Sequence, residues 1–382
     1  TAYRMTLTGK TPDRLLLQPS DILPGDAGRG GALLENRYTF AGQEITAPDG
    51  PRPGINQNGL PWRYMDAGDV WFRELQSFEW LRDLRTLATQ ASRARARKLL
   101  LHWLDLHTSI DPLPWRPDLV GRRVSAWLAH GDFLLKDSDS SFSKRFFQGL
   151  ALQARHLSRT ARTGEDGVER ILALKGLLYA GLSLPDGERR TLQALKMLAT
   201  ELPRQVWSDG GHFERSPSAH LSLLRHLIDI RGSLSAASQP VPKELNNAID
   251  RMAPMLRAYR HGDGGLALFN DSVENEAWLI DLVLAQCGTK GRALDNAPHV
   301  GFRRVQSGRS LLIADMGAPA QSGRRAHAGT LSFELSAGKE RLIVNCGAWR
   351  GNNMGWRKAL RATAAHSTLT INDTNSCELF DD

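Results

Sequence analysis

Near residue 290 the spacing of apolar residues changes period, and this change limits the possible folds more than any other feature of the chain. In WFRELQSFEWLRDLRTLA (71–88), Phe72, Leu75, Phe78, Leu81 and Leu84 recur about three apart, the stripe of one amphipathic helix. Segments of the same kind follow at 91–108, 117–136, 143–162, 168–182, 188–204, 217–231, 241–260 and 274–287. The punctuation between them, DPLPWRPD, LPDGE and SQPVPKE, marks turns. Beyond 300 the period becomes two. VGFRRVQSGRSLLIADMG (300–317) predicts two strands about a Ser-Gly turn, and LSFELSAGKERLIVNCG (331–347) predicts two more about Ala337-Gly338. HSTLTIND (366–373) predicts another, and Leu331, Phe333 and Leu335 are expected to face a core.

Helices followed by antiparallel strands mean an all-α domain and then an all-β one. No short fixed repeat is present, which argues against a solenoid, whereas helix pairs can close into a ring. The expected fold is α+β multidomain, an incomplete α/α toroid followed by an antiparallel β-sandwich. Residues 1–60 are expected to be an extended lead-in with a hairpin at YTFAGQEI, 61–290 the toroid, and 298–382 the start of the sandwich. The strand pattern has no obvious closing strand, so the sandwich is expected to be incomplete in this chain.

With 41% hydrophobic and 24% charged residues, the 382-residue chain has a globular composition, not a disordered one. It lacks the run of about 18 apolar residues that a membrane-spanning helix needs. A net charge of +8 favours an acidic partner, but no zinc-finger spacing or RNA-recognition motif directs that charge to nucleic acid. Cys287, Cys346 and Cys377 are widely spaced and odd in number, which excludes a disulfide framework and CxxC metal sites. Ten Trp are present, seven of them in or before the helical region, where they serve as core or line a sugar-binding groove.

Three stretches could carry chemistry. In SDGGHFERSPSAH (208–220), His212, Glu214 and Arg215 follow two glycines and precede the helix start at Ser216-Pro217. Such a cluster presents an acid and a cation to an anionic ligand, or caps and charges the helix. In GRRAHAGTLSFELS (323–336), Arg325 and His327 stand at the mouth of a strand, where His is a base, a metal ligand or a polar strand end. In NCGAWRGNNMGWRKALRATAAHSTLTIND (345–373), Trp349, Arg350, Trp356 and Arg357 form an aromatic and cationic loop. That loop either suits a carboxylated sugar, because Trp stacks on sugar C–H groups and Arg forks onto the acid, or uses its Trp residues to staple a long loop onto the helical domain. His327, Asn345 and His366 could hold a metal, more weakly than a set containing a carboxylate.

AHAGTLSFELS, RLIVNCG and AAHSTLTIND, with DGGHFERSP, GVERILALKGLLYAG and IDRMAPMLRAYRHGDGGLALFND, resemble the heparinase II/III-like polysaccharide lyases over about residues 60–382. The resemblance implies β-elimination from a uronate-containing anionic polysaccharide in a bacterial periplasm or envelope. It implies no required cofactor, with a structural zinc or calcium as an option. Val168-Glu169 stands where the family often has Asn-His, Ala219 near its Tyr, Arg325 at its first His and Asn345 at its Asp; His327 and His366 match its metal ligands. The rearranged set would be Arg325 or Arg215 for the carboxylate and His212, Glu214 or His327 for proton transfer, with Trp349, Arg350 and Trp356 as further substrate contacts. The alternative is a non-catalytic protein of the same fold that binds anionic glycan.

Overall fold

The computed structural model describes residues 2–47, 60–62, 67–320, 325–351 and 353–380. Among them the helices are α1 (Ala2–Thr6), α2 (Ala27–Leu34), α3 (Asp69–Ser77), α4 (Leu81–Leu87), α5 (Gln90–Leu106), α6 (Pro117–Ala129) and α7 (Gly131–Leu135). They continue as α8 (Ser140–Thr160), α9 (Val168–Ser183), α10 (Glu188–Gln205), α11 (Pro217–Ala236), α12 (Lys243–Ala258), α13 (Ala277–Cys287) and α14 (Met354–Arg361). The hairpin expected in the lead-in is β1 (Arg37–Phe40) and β2 (Gln43–Thr46). A second sheet has the order β3 (Asn296–Ala297), β4 (Phe302–Ser307), β5 (Ser310–Asp315), β6 (Phe333–Ala337) and β7 (Glu340–Ile343), every pair antiparallel. No described helix is long and apolar enough to cross a membrane.

The chain divides into two compact units: Thr1–Met197 with Gly232–Pro240 and Arg350–Asn352, and Leu198–Arg231 with Val241–Trp349 and Asn353–Asp382. In the first, Trp62, Trp71, Trp80, Trp103, Trp115 and Trp127 are all buried, so they are core and do not line a groove. Arg123 is buried among them, its guanidinium 4.0 Å from the Trp103 ring centroid. Its N–H groups donate to Gln153 Oε1, Gln76 O and Pro114 O, which satisfies a cation that burial would otherwise penalise. Helices α6 and α9 touch through glycine: a Cβ on Gly176 would lie 2.5 Å from the Gly121 Cα.

The stripe at 71–88 is broken, not continuous. Phe78 adopts a left-handed φ of 59° between α3 and α4 while its ring stacks on Trp62 and meets Trp80, Trp103 and Trp127. The aromatic cluster stabilises a backbone that helical spacing cannot foresee. Residues 366–373 are likewise not a strand; Leu369 and Ile371 are exposed, and only an isolated bridge links Ile371 to Thr374.

The orientation of β6 is the reverse of expectation. Leu331 is exposed and Phe333 and Leu335 are half-buried, while Ser332, Glu334 and Ser336 are buried. Side chains on a strand alternate faces, so a shift in parity moves the whole set together. The polar face turns inward because Glu334 and Ser336 find hydrogen-bond partners there.

Candidate functional site

All of the following geometry lies within the second unit. After α10 the chain folds back at a Val206–His212 bridge, which turns His212 inward. His212 is fully buried, and its Nε2 is 3.4 Å from Gln205 Oε1. Burial, then the charges of His220 and Arg325, hold its pKa well below the usual imidazole value. The 3.5 Å approach of its Nδ1 to Glu214 Oε2 is therefore contact with a neutral ring, not an ion pair. Glu214, also buried, accepts from Arg325 Nε at 3.0 Å, and Asp271 lies 3.7 Å from Arg325 Nη1. His212, Glu214 and Arg325 are thus brought together, but two carboxylates already surround the one guanidinium.

Arg215 turns away from that cluster. It is buried, with Nε donating to Val300 O at 2.8 Å and its other nitrogens bonded to Ala318 O and Asp315. Asn270 ties these parts together: its Nδ2 donates to Arg215 O, and its Oδ1 accepts from the His327 N–H. Asn270 and Asp271 are consecutive left-handed residues, a conformation that Asn and Asp tolerate better than most.

His327 and His366 form a pair, Nδ1 to Nε2 at 3.1 Å. The Asp271 N–H donates to His327 Nε2, and the His366 Nδ1–H donates to Ala362 O. These two bonds assign the protons: His327 carries its hydrogen on Nδ1 and gives it to His366 Nε2. Burial lowers the His366 pKa, in keeping with a neutral ring.

Asn345 belongs to a neighbouring network that the sequence reading did not find. Glu334 is fully buried and accepts from Leu268 N at 2.8 Å, Asn345 N at 3.2 Å, Asn345 Nδ2 at 3.3 Å and His261 Nε2 at 3.0 Å. His261 Nδ1 meets Ser336 Oγ at 2.9 Å, and Asn345 Oδ1 accepts from Ser367 N. The available signal was a Glu at the centre of an apolar strand, together with the His of HGDGG.

Trp349 and Trp356 stack with centroids 6.0 Å apart and remain 36% and 54% exposed. Asn353 caps α14 by accepting from Trp356 N, which fixes the start of the helix that carries Trp356, Arg357 and the exposed Lys358. Arg350 falls in the first unit.

Two family domains match the sequence: Heparinase II/III N-terminus over residues 79–286 and Heparinase II/III-like, C-terminal over 289–382. The chain belongs to the heparinase II/III-like family. The solved Heparinase III has the same fold, with TM-score 0.74 at 15% identity over 98% of this chain and 67% of that one. Heparan sulfate lyase HepC from Pedobacter heparinus is also similar, with TM-score 0.59, 20% identity and coverages of 98% and 65%. The fold class is accordingly the expected one, an incomplete α/α toroid followed by an antiparallel β-sandwich. FtsZ-localized protein C of Caulobacter vibrioides is 31% identical over 97% of this chain, and the heparin-sulfate lyase of Pedobacter heparinus 25% over 71%. This chain spans 63% and 46% of the lengths of those two relatives.

The family resemblance offers His327, Asn345 and His366 to a metal, but these residues do not fit one. His327 Nδ1 holds the proton shared with His366, and moving that proton to Nε2 would set it against the Asp271 N–H. Asn345 Oδ1 is engaged by Ser367 N, and no described group of three His, Cys, Asp or Glu residues could hold an ion.

His220, fully buried with Nε2 on Met252 O, has its pKa lowered to about 4, chiefly by burial. A depressed imidazole pKa means that the unfolded chain takes the proton first. Stability is therefore complete above the unfolded value near 6.5 and drains away as pH falls toward 4. His220→Gln, which can still donate to Met252 O, should remove about 2 kcal/mol of the loss that the parent shows between pH 7 and 5. Urea midpoints at the two pH values measure it; an unchanged difference would reject the assignment.

Proposed function

We propose that this chain is a glycan-binding member of the heparinase II/III-like family, holding a uronate-bearing anionic polysaccharide on the Trp349–Trp356 surface without breaking it. The observation that carries this reading is a contrast in exposure. The stacked tryptophans are open to solvent, and Trp356 shares its short helix with Arg357 and Lys358, whereas His212, Glu214 and His327, the nominated proton-transfer groups, are 0%, 3% and 5% exposed. A base must reach the C5 proton of the sugar, and an electrophile must offset the charge that builds on its carboxylate. Arg325 already faces Glu214 and Asp271, so a third carboxylate would enter against net negative charge.

One relative, 31% identical over 97% of this chain, is named for localisation with FtsZ and not for breaking a polysaccharide, which favours the binding reading. The second reading is β-elimination, favoured by similarity to a heparin-sulfate lyase and by the gathering of His212, Glu214 and Arg325. One experiment separates them. The protein is passed over immobilised uronate polymer, and the same polymers are incubated with it and followed by the ultraviolet absorbance of unsaturated uronate. Retention without new absorbance is expected, and Trp356→Ala should weaken retention about tenfold, the worth of one stacked ring. A rise in absorbance would establish the lyase instead.

A further inference from the structure

A separate cavity in the second unit, about 390 Å³, is lined by Pro203, Val206, Trp207, Ser208, Arg251 and His299. Its walls are held by hydrogen bonds and by close backbone approach. Trp207 begins a tight turn in which its N–H donates to Gly211 O and its C=O accepts from Gly210 N. Gly210 has φ +83°, and a Cβ there would lie 2.0 Å from Arg251 O, so the turn rests directly on the α12 backbone. Asp209 clamps the opposite wall, its Oδ2 accepting the His299 and Val300 N–H groups at 2.8 and 2.9 Å while Oδ1 accepts Gly211 N. These three N–H donors offset the Asp209 charge that would otherwise oppose an anion.

Trp207 is thereby fixed between two elements while the groups around it stay available. Arg251 and His299 are exposed, and neither side chain makes a hydrogen bond or ion pair among the described residues; Ser208 Oγ is likewise without one. A flat indole face, a guanidinium fork, an imidazole and a hydroxyl around a cavity of small-ligand size suit one acidic pyranose. We propose that this cavity binds a carboxylated sugar residue, with Trp207 against the ring and Arg251 on the carboxylate, separately from the Trp349–Trp356 surface. The inference rests on the glycan reading for its ligand class and on the cavity alone for its location.

The test uses calorimetry with a tetrasaccharide of alternating glucuronate and N-acetylglucosamine, the same tetrasaccharide with its carboxylates reduced to alcohols, and inorganic phosphate. The variants are Arg251→Gln, Trp207→Ala and Trp356→Ala. Arg251→Gln alters an exposed, unpaired side chain and is expected to fold. It should weaken tetrasaccharide binding at least tenfold, as should carboxyl reduction, and Trp207→Ala should weaken binding similarly. Parental affinity in both Arg251→Gln and Trp207→Ala, with a loss in Trp356→Ala, would overturn this site and leave the glycan reading standing. Failure of the parent to bind the tetrasaccharide would overturn both. Phosphate binding as tight as the tetrasaccharide would make the cavity a plain anion site and overturn the sugar assignment.

Discussion

Glu334→Ala is expected to cost about 5 kcal/mol, enough to unfold the second unit if its stability is typical of a domain. The carboxylate accepts from Leu268 N, Asn345 N, Asn345 Nδ2 and His261 Nε2, and it is fully buried. Removing it strands donors where no water enters, at about 1–3 kcal/mol for each group left without a partner. Glu334→Gln keeps one oxygen for the backbone donors and should cost about half as much. Urea unfolding of both variants, with soluble yield as a second measure, checks the order. Equal and small losses would mean that the network contributes little to stability.

Arg215→Ala should be nearly as damaging, at about 3–5 kcal/mol, because it leaves a buried carboxylate uncompensated. Burial raises the Asp315 pKa, and the charge and hydrogen bonds of Arg215 oppose that rise. Without Arg215 the value climbs further. A raised carboxylate pKa means that the folded chain holds the proton more tightly than the unfolded one, so the variant recovers as pH falls. Its deficit against the parent should be largest at pH 7 and shrink toward pH 4. Arg215→Lys should recover little, since one ammonium cannot span Val300 O, Ala318 O and Asp315 as the fork does. A deficit independent of pH would show that lost packing, not the stranded carboxylate, dominates.

The helices were legible because their apolar stripes face a real core: α8 to α13 lie within a few residues of the segments read from spacing. Spacing failed where a single residue leaves the helical region for tertiary reasons, as at Phe78, and at His130-Gly131, where one expected helix becomes α6 and α7. In the candidate site, proximity along the chain revealed His212 and Glu214, and a strand-mouth position revealed Arg325 and His327. His261, Asn270, Asp271 and Asp315 were missed, since hydrogen bonds across 55 to 100 positions of sequence leave no local pattern. Glu334 was masked by its apolar neighbours. Those neighbours also gave β6 the wrong parity, because alternation identifies two faces and only the surroundings decide which is covered.

The inward polar face of β6 has a consequence for how this sheet assembles. A strand whose inner side chains are greasy is positioned by whatever slot excludes water, and sliding by two residues can be nearly neutral. Here sliding by even one would tuck Phe333 and Leu335 beneath the sheet, a gain in water exclusion, yet would tear Glu334 from every donor it serves. Alignment of this strand therefore depends on directional bonds, which admit one solution, and the barrier to misthreading is electrostatic rather than oily.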